Sequence, residues 1–116
     1  MKKRGQTYNK LVRDLIPEII AEDGYHAEIR VLDEVEYLKA LREKLFEEAK
    51  ELAEAPDVTA ITNELIDLYE VLAAFEKAYG LRHSEVIELQ EKKRAERGGF
   101  KKRLFLVRTE LDEDEE

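Results

Sequence analysis

The chain contains no cysteine. That absence removes disulfides, zinc–thiolate centres and cysteine nucleophiles from consideration. Imidazole is nearly as scarce, since His26 and His83 are the only 2 histidines in 116 residues. Positive charge is outnumbered: 20 Lys and Arg face 28 Asp and Glu, for a net charge of −8. A surface of that sign repels phosphate backbones, so duplex nucleic acid is not an expected partner. No apolar run approaches the ~18–20 residues that span a bilayer. The basic start, Met1–Arg4, is not followed by the hydrophobic core of a signal peptide. A cytoplasmic protein with no membrane span is the expectation.

Hydrophobic residues make up 43% of the chain, too many for compositional disorder. Charged residues make up 41%, against about a quarter in an average soluble protein. Long solvated helices account for such an excess. The length fits one domain. The expected organisation is a single helical domain over residues 1–110, followed by a frayed acidic tail over 111–116.

The apolar pattern is mostly helical. Leu11, Val12, Leu15, Ile16, Ile19 and Ile20 give a stripe from Thr7 or Asn9 to about Glu22. Pro17 interrupts it and predicts a kink or a break near Ile16. Asp33 is a good N-cap with Glu36 as capping-box partner, opening a helix over about Glu34–Ala53 with Leu38, Leu41, Leu45, Ala49 and Leu52 as its stripe. Ala55-Pro56-Asp57 breaks the pattern, and so short a connection implies two antiparallel neighbours. The next helix, from about Val58 to Tyr79, is apolar around most of its circumference between Leu65 and Phe75. Such a helix is central in a fold or lies in a subunit interface. Ser84 is the expected cap of a fourth helix, which Gly98-Gly99 ends. Glu28–Leu32 and Leu104–Val107 read as short strands, and a lone strand is unstable, so they are expected to pair with each other. The predicted architecture is therefore mainly α: an antiparallel bundle of about four helices with a minor two-stranded β element.

Two pairs of acids stand at a spacing of three: Glu48 with Glu51, and Glu64 with Asp67. That spacing puts both members of a pair on one helix face. At about 100° per residue, Glu48 and Glu51 lie roughly 50° and 110° from the apolar axis of their helix, and Glu64 and Asp67 roughly 60° and 120° from theirs. The rotation has the same sense in both, which allows the pairs to face each other across an antiparallel helix pair. Glu47 lies nearly opposite the stripe. Converging carboxylates repel unless a cation lies between them. All-oxygen donors select a hard ion, Mg²⁺ or Mn²⁺. A plainer reading also stands: Glu43, Glu47, Glu48, Glu51 and Glu54 form a solvated face, with Lys44 and Lys50 as partners. Glu64 and Asp67 fit that plainer reading less well. Glu70 is the only other acid between Ala60 and Phe75, and acids bordering an apolar core are costly unless paired.

These residues resemble a known signature. Glu47-Glu48-Ala49-Lys50-Glu51 followed by Glu64-Leu65-Ile66-Asp67 is similar to the E-E-x-x-E and E-x-x-D pattern of the all-α NTP pyrophosphatase superfamily, the MazG-like and phosphoribosyl-ATP pyrophosphohydrolase-like proteins. Tyr8–Pro17 is similar to the opening of a small single-domain branch of that superfamily, although that branch usually has Lys where this chain has Leu15. Lys93–Phe100 resembles its closing motif, so the likeness runs from Tyr8 to about Leu106.

The resemblance implies Mg²⁺-dependent hydrolysis of a nucleoside triphosphate to a monophosphate and pyrophosphate, clearing modified or surplus nucleotides, by a homodimer or homotetramer. It implies Glu48, Glu51, Glu64 and Asp67 as metal ligands. Glu48 or Glu47 is the candidate general base. Lys10, Arg13, Lys93, Arg94 and Arg97 are candidate phosphate donors, arginine through planar bidentate hydrogen bonds. The plainer reading of the last three is a helix C-terminus whose cations complement the macrodipole. Two alternatives remain: phosphoribosyl-ATP as substrate, and a non-catalytic helical assembly or regulatory module.

Overall fold

The computed structural model describes residues 5–111. Among these the protein is all-α, with four helices: α1 (Ile16–Glu22), α2 (Glu34–Glu54), α3 (Val58–Ala78) and α4 (His83–Arg97). The chain falls into two compact units, Met1–Leu81 and Arg82–Glu116. The acidic tail expected over 111–116 lies, apart from Leu111, outside the described residues, as does the basic Met1–Arg4. No helix among the described residues is long and apolar enough to cross a membrane.

The centre of the first unit is the pair α2 and α3, which pack against each other. Each begins with an aspartate that satisfies an orphan backbone donor. Asp33 accepts from the Glu36 N–H at 2.8 Å, and the Glu36 carboxylate takes the Asp33 N–H in return, a complete capping box. Asp57 accepts from the Ala60 N–H at 2.9 Å. Between the helices, Ala55 is extended and precedes Pro56, which disfavours helical backbone in the residue before it. Only three residues separate the helices, so the chain must reverse. Arg42 accordingly donates to the Tyr79 hydroxyl at the far end of α3, while Glu48 and Glu51 meet Glu64 near its start.

Leu41 and Val71 are the two buried apolar side chains of this pair, at 2% and 7% exposure. Leu38, Leu45, Leu52, Leu65, Leu68 and Phe75 are half-buried around them. Glu48 stands seven residues after Leu41, and Glu64 seven residues before Val71. Two helical turns separate each acid from a core residue, so both acids lie almost on the seam that the core residues define. On antiparallel helices the two steps run toward the same end. The packing that buries Leu41 and Val71 thus also carries Glu48 and Glu64 inward.

The structure corrects several expectations. The first helix does not start near Thr7 or Asn9. It begins at Ile16, with Pro17 in its first turn, where the missing N–H costs nothing. Asn9 adopts a positive φ of 47°, incompatible with a helix there. Ala49, placed on the apolar stripe, is exposed. Ser84 does not cap α4. Arg82 occupies the N-cap and makes no side-chain cap hydrogen bond.

The two-stranded β element is absent among the described residues. Segments 28–32 and 104–107 form no ladder, and Val31 and Phe105 are 94% and 89% exposed. Three alternating apolar residues, interrupted by Glu28 and Arg30, are too weak a strand signal to specify a register. Arg30 instead donates to Glu36 of α2 at 2.8 Å in an exposed ion pair.

Candidate metal centre

The acids of α2 and α3 converge. Glu48, Glu51 and Glu64 each offer a carboxylate oxygen, and the three oxygens lie within 4.8 Å of one another. Glu48 is 6% exposed, Glu64 is half-buried and Glu51 is exposed. Asp67 is half-buried and stands outside the trio, but close enough for its charge to act on Glu48.

Glu48 pays for this position in proton affinity. Burial pushes its carboxyl above the ordinary carboxylate range, and hydrogen bonding to Glu51 and the charges of Glu51 and Asp67 push the same way. Lys44, 3.5 Å from Glu48 Oε1, opposes them. The other oxygen, Oε2, is buried and has no hydrogen-bond partner; Glu64 Oε2 is in the same condition. Two buried carboxylate oxygens without a partner, on residues whose carboxylates converge with a third, form an unfavourable arrangement in any protein that offers nothing positive between them. A hard divalent cation fits this donor set, which is all oxygen and carries enough negative charge to hold it.

The remaining candidates divide by unit. In the first, Glu47 lies beside the trio with its oxygens in ion pairs, Oε1 to Lys10 at 3.3 Å and Oε2 to Lys44 at 3.5 Å. Arg13 reaches α3, with Nη1 3.4 Å from Asp67 Oδ1 and Nη2 3.7 Å from Glu70 Oε1. The structure therefore gathers Lys10, Arg13, Glu47, Glu48, Glu51, Glu64 and Asp67 in one region. In the second unit, Lys93, Arg94 and Arg97 are exposed on the last turns of α4. Gly98 ends that helix at φ +80°, its N–H bonded to the Arg94 carbonyl at 2.7 Å, which is the plain helix stop. Phe75 stacks on Tyr79 at the end of α3, ring centroids 6.5 Å apart.

Lys44, expected from the sequence as a partner of the α2 acids, bridges Glu47 and Glu48, three and four residues after it. One residue beside the acids was not expected to take part. Glu70 shares Arg13 with Asp67, one turn away. Compared with known protein families, with curated proteins and with solved structures, the chain finds no match in any of the three.

Proposed function

We propose that the protein is an Mg²⁺-dependent nucleotide pyrophosphohydrolase, Mn²⁺ serving as an alternative ion. The observation that carries this reading is the buried, unpartnered Glu48 Oε2 within an acidic trio, next to a second orphan at Glu64. The motif resemblance adds the reaction: water attacks a nucleoside triphosphate between the α and β phosphates and releases a monophosphate and pyrophosphate. Glu48, Glu51 and Glu64 would hold the cation, and Asp67, now paired with Arg13, would join them as the fourth ligand. When bound, a divalent cation supplies Lewis acidity toward phosphate oxygens and toward the attacking water. Of the two acids weighed as general base, Glu48 keeps an oxygen free of ion pairs, whereas both Glu47 oxygens are engaged. Lys10 and Arg13 stand beside the acids and supply positive charge for phosphates outside the cation's reach. The direct test is a panel of nucleoside triphosphates and phosphoribosyl-ATP, incubated with Mg²⁺ or with EDTA. Metal-dependent pyrophosphate release from at least one nucleotide is expected. None from any of them rejects the enzyme and favours the non-catalytic module.

The fuller architecture in this proposal is a helical bundle completed by a second copy, in the cytoplasm. Phe46 of α2 and Ile66, Tyr69 and Leu72 of α3 are exposed by 74%, 54%, 63% and 43%. A helix pair with only two buried apolar side chains leaves more apolar surface in water than a stable small domain tolerates. Light scattering after gel filtration should give a dimer or tetramer, and Ile66→Lys should reduce the assembled fraction at least tenfold at micromolar concentration. A monomeric wild-type protein sinks this part of the proposal.

A further inference from the structure

Cations of the chain itself stand beside the acid site, and they are not equivalent. Lys44 belongs to α2 and is fixed beside Glu47 and Glu48 by helical spacing. Arg13 comes from the non-helical residues 5–15 before α1 and is held by its far end against Asp67 and Glu70. Its side chain is 57% exposed, so the pair with Asp67 contributes little to stability and exchanges readily. Among the described residues, Asp67 is the one member of the two sequence pairs whose carboxylate already holds an arginine. Glu70 lies three residues further on, so its carboxylate gives the guanidinium a second anchor that is not a member of those pairs.

We infer that Arg13 is an exchangeable positioning residue. It occupies Asp67 while no cation is bound, yields that carboxylate when a divalent cation enters, and then offers its guanidinium, still tethered by Glu70, to the anionic ligand that accompanies the cation. The inference rests on the metal-site reading above. Its consequence is a pair of effects of opposite sign. Arg13 competes with the cation when the cation comes alone, and it favours the phosphate-bearing ligand once the cation is in place. A merely structural arginine gives neither pattern, because its loss weakens both steps together.

The full-length protein and Arg13→Ala can be titrated calorimetrically with Mn²⁺ alone at low salt, then with inorganic pyrophosphate at saturating Mn²⁺. Arg13→Ala should bind Mn²⁺ about two- to fivefold more tightly, the scale of an exposed ion pair released. It should bind pyrophosphate about tenfold more weakly, the scale of a charge-assisted hydrogen bond lost. Arg13→Lys, which keeps the charge but not the planar fork, should restore wild-type Mn²⁺ affinity and only part of the pyrophosphate affinity. Unchanged or weaker Mn²⁺ binding by Arg13→Ala overturns the exchange while leaving the metal site standing. Unchanged pyrophosphate affinity overturns the hand-over. If the wild-type protein binds no Mn²⁺, the functional reading fails and this inference fails with it.

Discussion

Glu48→Gln should make the metal-free protein more stable at neutral pH and at the same time abolish metal-dependent hydrolysis. The stability gain follows from the cost of the native carboxylate. Glu48 is 6% exposed, one of its oxygens has no partner, and Glu51 and Asp67 add negative charge beside it. The substitution removes that charge and replaces an orphaned acceptor with an amide N–H that neighbouring carboxylates can accept. An unsatisfied buried polar atom costs about 1–3 kcal/mol. In a unit of this size each kcal/mol moves the melting temperature by roughly 4–8 °C.

The pH dependence has a defined sign. A carboxyl raised above its ordinary 4.5 binds more protons in the folded than in the unfolded state between that value and its raised one. Wild-type stability therefore falls as pH rises through this window, and it stays reduced above it. The advantage of Glu48→Gln should be absent below pH 4.5, grow through the window and be complete at neutral pH. Excess Mg²⁺ should give the wild type a comparable rise, about 2.7 kcal/mol at a hundredfold excess over Kd, and should leave the variant unmoved. Turnover should drop by at least about 10²–10⁴, the range for loss of an acid–base group alone. Thermal melts between pH 4 and 8, with and without Mg²⁺, measure all of this. A metal-free variant no more stable than the wild type at pH 7 would show that Glu48 is adequately paired and that no cation is needed there.

The convergence of the acids was legible only in part. Glu48 and Glu64 repeat the seam positions of Leu41 and Val71 two turns away and are drawn inward with them. The spacing, however, left Glu48 readable as part of a solvated face and put Asp67 on a par with Glu64, whereas among the described residues Glu48 is the most buried acid and Asp67 lies outside the trio. The Asp33 capping box and the reversal at Pro56 were local signals, fixed by a few neighbouring residues. What failed was non-local. A strand at 28–32 depended on a partner some 70 residues away, and nothing in a short alternation specifies such pairing. The helix before Pro17 failed for another reason. Periodicity was read through a residue that sets a helix start, and the apolar residues ahead of it, Leu11 and Val12, belong to non-helical chain. Arg13 was a candidate for phosphate. Its ion pairs with Asp67 and Glu70 join residues more than fifty apart and carry no sequence signal at all.

The same seam makes a second substitution severe. Leu41→Ala should cost about 2–5 kcal/mol, the range for truncating a buried leucine when the surroundings relax only partly. Among the described residues Leu41, 2% exposed, is the most deeply buried of the large side chains, and Val71 is its only buried apolar companion. A small domain has about 5–15 kcal/mol in total. One with so few buried side chains belongs near the lower end, so this single truncation removes a large share of it. The effect should reach the acids. Leu41 holds α2 against α3 two turns from Glu48, and a loosened pair no longer keeps Glu48, Glu51 and Glu64 within one cation's reach. Urea unfolding should therefore show a sharply lowered midpoint for Leu41→Ala, with Mn²⁺ affinity falling in parallel. Leu41→Met, which keeps the volume, should cost less than about 1.5 kcal/mol and retain Mn²⁺ binding. An unfolding midpoint for Leu41→Ala equal to that of the wild type would mean that the stability of the α2–α3 pair lies elsewhere, and that the acids are held by something other than this seam.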